Sequence, residues 1–187
     1  NEGMDQADGE PAPPPCVVQF GGQTAINLSQ VLDRAGMPVM GSSAEASGAA
    51  HLPMYVASRV ADGHLGNDAA TLIRLEGFGP SVAARSAYLS AALEKVGKVE
   101  HLEGEESLAV WRDVRDIRPF VDGTDKPVWR LSVTPTRGHE IVMSLRMQAA
   151  IDAFYDWQGG LVWLRMEGEP EAELVRETIR AAGAVTR

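Results

Sequence analysis

Apolar positions recur with two different periods along the 187-residue chain. Residues 1–15 have almost no large apolar side chains and close on Pro11, Pro13, Pro14 and Pro15, which predicts a disordered or extended acidic tail. Cys16, Val17, Val18 and Phe20 form a short strand-like run, broken by Gly21 and Gly22. Thr24 suits a helix N-cap. Leu28, Val31, Leu32 and Ala35 follow at helical spacing, with Gly36 as the stop. Met37, Val39 and Met40 form a second short run, so residues 16–45 predict a β-α-β unit with parallel strands. Residues 46–69, rich in Ala, Gly, Ser, His and Asp, carry only a small apolar patch at Met54, Tyr55 and Val56 and read as a linker or irregular edge.

From residue 70 the pattern becomes regular. Thr71, Ile73 and Leu75 alternate with Leu72, Arg74 and Glu76 as a strand does. Val82, Leu89, Leu93 and Val96 stripe a helix opened by Gly79 and Pro80 and ended by Gly97. Val99, His101 and Leu102 suggest a strand, and Leu108, Trp111 and Arg115 a short helix. Trp129, Leu131 and Val133 alternate with Val128, Arg130 and Ser132 as another strand, before a helix striped by Ile141, Val142, Leu145 and Ala149. Runs 153–157 and 161–166 read as a hairpin across Gln158, Gly159 and Gly160. Pro170 opens a last helix, with Leu174, Val175, Thr178 and Ala182 on one face and Gly183 as its cap. This order predicts an α+β domain over 70–187, with a ferredoxin-like antiparallel sheet and helices on one face.

Charge narrows the function. Twenty-six acids against 17 bases give a net charge of -9, which disfavours broad nucleic-acid binding. Cys16, the single cysteine, allows no internal disulfide and no Cys-rich metal site. No apolar run is long enough for a membrane span, and the tail, with Glu2, Asp5, Asp8 and Glu10 and no base, does not read as a secretory signal. These features predict a cytoplasmic protein.

Several residues invite chemistry. Phe20-Gly21-Gly22-Gln23-Thr24 places paired glycines between a strand and a helix start, which suits a phosphate cradle or simply a tight turn. His51, His64, His101 and His139 are scattered without metal-ligand spacing. Ser132 has no nucleophile elbow around it. Glu105-Glu106 and the pair Glu169 and Glu171 sit at helix starts, where acids favour the helix dipole.

Two resemblances are specific. Residues 17–28 (Val-Val-Gln-Phe-Gly-Gly-Gln-Thr-Ala-Ile-Asn-Leu) and 35–42 (Ala-Gly-Met-Pro-Val-Met-Gly-Ser) resemble the pre-ATP-grasp region of the carbamoyl-phosphate synthase large subunit. The ATP-grasp module expected after Glu45 does not follow, so this resemblance implies a β-α-β fragment and not ligase activity. Residues 75–85, 111–116, 128–133 and 155–164 are similar, in order and spacing, to the C-terminal half of the FAD-binding subunit of glycolate oxidase. That resemblance implies a partial flavoprotein oxidoreductase subunit, in a composite or truncated chain that lacks the family's Gly-rich flavin domain. FAD would take a hydride from a 2-hydroxy acid, and electrons would pass to the other subunits, flavin and iron–sulfur.

In this family reading Arg130 offers a planar fork to a flavin phosphate or a substrate carboxylate, the alternative being an outward-facing strand Arg or a structural salt bridge. Trp157 would wall the flavin ring, while Gly159 and Gly160 would let backbone approach it; the alternative is a hairpin turn with a core Trp. Ser132 lies in the same block, so the expected cofactor-binding set is Arg130, Ser132, Trp157, Gly159 and Gly160. Two other readings stand beside this one. One is a non-catalytic α+β interaction module, prone to homo-oligomerise. The other is an ATP-binding, synthase-like fragment.

Overall fold

A computed structural model describes residues 16–18, 39–41, 46–95 and 97–183. Two short strands, β1 (Cys16–Val18) and β2 (Val39–Gly41), pair in parallel with Cys16 opposite Val39. The expected parallel pair is therefore present. Its connecting helix and the Gly21-Gly22 turn lie outside the described residues, as does the acidic tail.

The main sheet has five strands: β3 (Gly48–Leu52), β4 (Ala70–Arg74), β5 (Val128–Ser132), β6 (Ile151–Asp156) and β7 (Leu161–Met166). Their spatial order is β4-β3-β6-β7-β5, and every neighbouring pair is antiparallel. Among the described residues, five helices accompany them: α1 (Met54–Ala57), α2 (Gly79–Leu93), α3 (Gly104–Arg115), α4 (Gly138–Arg146) and α5 (Ala172–Ala181). The fold is α+β, as the order of elements predicted.

Three expectations change. Residues 46–69 are not a linker: they supply β3, an interior strand, and α1, whose Val56 and Ala57 are buried. The region looked irregular because Gly48-Ala49-Ala50-His51-Leu52 lacks the β-branched and aromatic residues that mark strands. Pairing on both edges makes it a strand nonetheless, with Ala50 opposite Leu72 and His51 opposite Tyr155. Residues 99–102 form no strand, because their polar groups have other uses. His101 bridges the hydroxyls of Ser86 (3.3 Å) and Ser90 (3.2 Å) on α2, and Leu102 packs against the core.

The helices, finally, occupy both faces of the sheet and not one. Side chains alternate across a strand, and β6 and β7 bury both sets. Ala153, Val162, Leu164 and Met166 join Leu131 under α4 and α5, with Ile141, Val142, Leu145, Val175 and Ile179 completing that core. On the other face Phe154 packs with Ala50, Leu52, Val56, Val110, Val114 and Phe120 under α1 and α3. The Phe120 and Phe154 rings sit 5.3 Å apart and tilted, a favourable aromatic geometry. α3 carries Glu105 and Glu106 in its first turn and Arg112 and Arg115 in its last, each matched to the helix dipole. α2 differs from the others in that none of its residues is buried.

Arg165 ties the segment after α3 to the sheet. It is 2% exposed and pairs with Asp122 (2.6 Å), Asp152 (2.9 Å) and Glu167 (3.6 Å) while its guanidinium lies over Phe120. A buried cation needs such partners, because removing one leaves an uncompensated charge. Asp122 also accepts hydrogen bonds from Thr124 Oγ1 (2.6 Å) and the Thr124 amide (3.1 Å). The Thr124 bonds, with Arg165 adding to them, lower the Asp122 carboxyl from its ordinary 3.8 to about 2.

A lowered folded-state value means that the carboxylate's contribution is complete above pH 3.8 and disappears as pH falls through about 2. Asp122→Asn should therefore lower the urea midpoint at pH 6, and the gap from the parent chain should shrink steadily below pH 4. A gap that stays constant across that range would exclude this role for Asp122.

Candidate functional site

The face of the sheet under α1 and α3 is laid out in rows by strand register. Asp152, Arg165 and Val128 form one row across β6, β7 and β5; Phe154, Trp163 and Arg130 form the next; Asp156, Leu161 and Ser132 form the third. The helices cover the β3 and β6 side of this face. Over β5 it is open, and Val128, Arg130 and Ser132 are all exposed.

Arg130 lies there between two indoles. Its guanidinium carbon is 4.9 Å from the Trp157 ring and 5.9 Å from the Trp163 ring. Exposed guanidinium–indole contacts of this kind contribute roughly 0.5–1 kcal/mol. No carboxylate pairs with Arg130 among the described residues, unlike Arg165 one row away. Stacking holds the guanidinium plane and leaves its N–H edges for an incoming acceptor. Trp157 is 57% exposed, so the site presents a flat apolar wall beside a cation.

The hairpin tip that carries Trp157 is strained. Trp157, Gln158 and Gly159 have φ of 50°, 58° and 90°, all left-handed. Left-handed backbone on a bulky residue persists only where its surroundings hold it. Asp156 contributes by accepting the Trp157 amide at 2.7 Å. Its carboxyl is half-buried, and desolvation raises its pKa against that hydrogen bond. Gln158 Nε2 is buried without a hydrogen-bond partner among the described residues.

The two glycines serve the protein's own packing. A Cβ on Gly159 would meet the Pro135 carbonyl oxygen at 2.9 Å, and one on Gly160 would meet the Trp157 carbonyl oxygen at 3.3 Å. The tip is thus clamped against the turn that follows β5. Of the five expected site residues, Arg130 and Trp157 are in contact, Ser132 is exposed two residues along β5, and Gly159 and Gly160 end the tip against Pro135.

Trp163 was missed as a site residue. It faces Arg130 only because β5 pairs with β7 in this register, and register between distant segments leaves no local mark in the sequence. No three His, Cys, Asp or Glu side chains among the described residues converge on a metal-binding geometry. His51 donates to or accepts from Thr71 Oγ1 at 3.0 Å on the opposite face, and burial lowers its pKa. A groove of about 400 Å3 runs between α4 and α5, lined by Arg137, Glu140, Gln148 and Glu177 among others. Its one cation is already engaged: Arg137 pairs with Glu140 at 3.0 Å and donates to the Ala182 carbonyl at 3.0 Å.

Among the described residues, no helix is long and apolar enough to cross a membrane. Comparison with known proteins gives one short likeness to report. Over 33 residues the chain is 58% identical to the carbamoyl phosphate synthase large chain of Thermomicrobium roseum, a stretch that covers 18% of this chain and 3% of that protein. This supports the synthase resemblance at the level of a short segment. No family profile matches the chain, and no solved structure matches it.

The clamp predicts the behaviour of Gly159→Ala. The variant should lose about 1–3 kcal/mol of stability in urea denaturation, from left-handed strain and the Pro135 contact. An unchanged midpoint would mean that the tip is free to move away from Pro135.

Proposed function

We propose that the α+β domain is the ring-facing part of an FAD-linked oxidoreductase subunit of glycolate oxidase type, working with partner subunits on a small 2-hydroxy acid. The observation that carries this reading is the exposed Arg130 guanidinium held against Trp157 and Trp163 with no carboxylate partner among the described residues. These residues fall within the blocks that resemble that subunit. The donor set fits a flat, anionic group: an indole wall for a ring system and a fork for a phosphate or carboxylate. When bound, the flavin supplies the hydride acceptor. Arg130 anchors the anion, Trp157 orients the ring and shields it from water, and Asp156 holds the Trp157 backbone through its amide.

A second reading, an interaction module without catalysis, is favoured by α2. None of its residues is buried, and Phe78 (74%) and Tyr88 (67%) are exposed at and along it. The short synthase likeness supports a third, an ATP-binding fragment confined to that segment.

Titration of the purified chain with FAD separates these readings. The first expects a flavin absorption band that stays with the protein and flavin fluorescence quenched on binding. Arg130→Ala should weaken that binding about tenfold, the loss of one charge-assisted contact of about 1.4 kcal/mol. A chain that retains no flavin and self-associates with rising concentration would replace the first reading with the second.

A further inference from the structure

Two serines on α2 and the histidine that joins them play no part in the site above. Ser86 and Ser90 stand one turn apart on the same side of α2, four residues being a spacing at which helical side chains are neighbours. Gly97 follows the helix, with its amide donating to the Leu93 carbonyl at 3.1 Å, and His101 returns to both hydroxyls. Its Nδ1 lies 3.3 Å from Ser86 Oγ and its Nε2 lies 3.2 Å from Ser90 Oγ. The described residues leave His101 exposed and both serines half-buried.

Proton accounting gives the cluster a chemical meaning. A neutral imidazole carries one N–H and one lone pair, whichever tautomer it adopts. With a hydroxyl at each nitrogen, one serine donates its proton to the ring and the other accepts from it. One serine is therefore in contact with a base, and the other holds that base in orientation. Ser90 has the shorter contact, at the nitrogen farther from the histidine backbone, where an incoming group has more room. Ser90 also begins the last turn of α2, where the carbonyl ends favour the positive charge that a proton brings to the ring.

We propose that Ser90 is a nucleophile for small acyl esters, with His101 as its general base and Ser86 as the residue that positions the ring. Ser90 Oγ bonds to the ester carbonyl carbon while its proton passes to His101 Nε2. The carbon–oxygen bond to the alcohol breaks, and the alcohol leaves with that proton. Water then attacks the acyl-serine and gives a proton to His101. The carboxylic acid departs, and His101 returns the proton to Ser90 Oγ. Neither step involves Arg130 or a flavin, so the proposal is independent of the function proposed above.

A fluorophosphonate probe tests it, because attack by a serine hydroxyl displaces fluoride from phosphorus and leaves a stable adduct that peptide mass mapping locates. The adduct should form at Ser90 and be absent from Ser90→Ala. His101→Gln keeps a donor and an acceptor for the two hydroxyls but removes the base, so it should label at least about tenfold more slowly. Ser86→Ala should also slow labelling, and Ser86→Thr should restore it. Release of p-nitrophenolate from p-nitrophenyl acetate should rank the variants in the same order. None of the three side chains is buried, so these variants keep both hydrophobic clusters. No adduct on the parent chain, an adduct on other residues alone, or a His101→Gln rate within tenfold of the parent would overturn the proposal.

Discussion

The domain depends on a hairpin that is buried on both sides. β6 and β7 place successive side chains on opposite faces, and both faces contribute buried residues: Ala153 and Phe154, then Leu161, Val162, Leu164, Arg165 and Met166. The two hydrophobic clusters meet only through this pair of strands. α4 and α5 rest on one side of it and α1 and α3 on the other. Burial at roughly 25 cal/mol per Å2 of apolar surface makes two-sided strands the most effective place to spend large side chains. A one-residue slip between β6 and β7 would exchange the two faces, so the register is strongly specified. The position of β5, and with it Arg130, is inherited from that register.

Two arginines on the same face show how environment decides use. Arg165 sits in the row beside Asp152, walled by Phe120 and reached by three carboxylates. Its charge is neutralised within the fold, where it joins the 117–127 segment to the sheet. Arg130 sits one row away, beyond the cover of α3, with indoles for neighbours. Its charge is available. In a chain of net charge -9, long-range attraction does not bring an anion to this site; screening within about 8 Å at physiological salt leaves the local donors to do so. The Trp157-Gln158 tip, bonded to Asp156 and packed against Pro135, carries the indole that lies 4.9 Å from the Arg130 guanidinium.

Much of this was legible beforehand where periodicity is strong. Ile141, Val142 and Leu145 mark α4, Leu174, Val175 and Thr178 mark α5, and the alternation through 128–133 marks β5. The parallel pairing of 16–18 with 39–41 followed from two apolar runs of strand length. β3 was not legible, since its alanines and glycine carry almost no strand preference of their own and it forms by pairing with β4 and β6. The 99–102 segment failed in the opposite way. Its apolar spacing suited a strand, but His101 went to the α2 serines and Leu102 to the core. Within the site, Arg130 and Trp157 could be named from their residue types and blocks. Trp163 could not, because it enters through cross-strand register.

The amino-acid sequence by itself determined which segments are helices and strands over most of 70–183, the α+β class, and the acidic character of the chain. These follow from local spacing and composition, which each segment carries alone. Only the tertiary structure decided that helices flank both faces, that 48–52 belongs inside the sheet, and that Arg130 meets two indoles and, among the described residues, no acid. Those outcomes depend on strand order and register, which are set by the best joint burial of many segments and so are written in no single one of them.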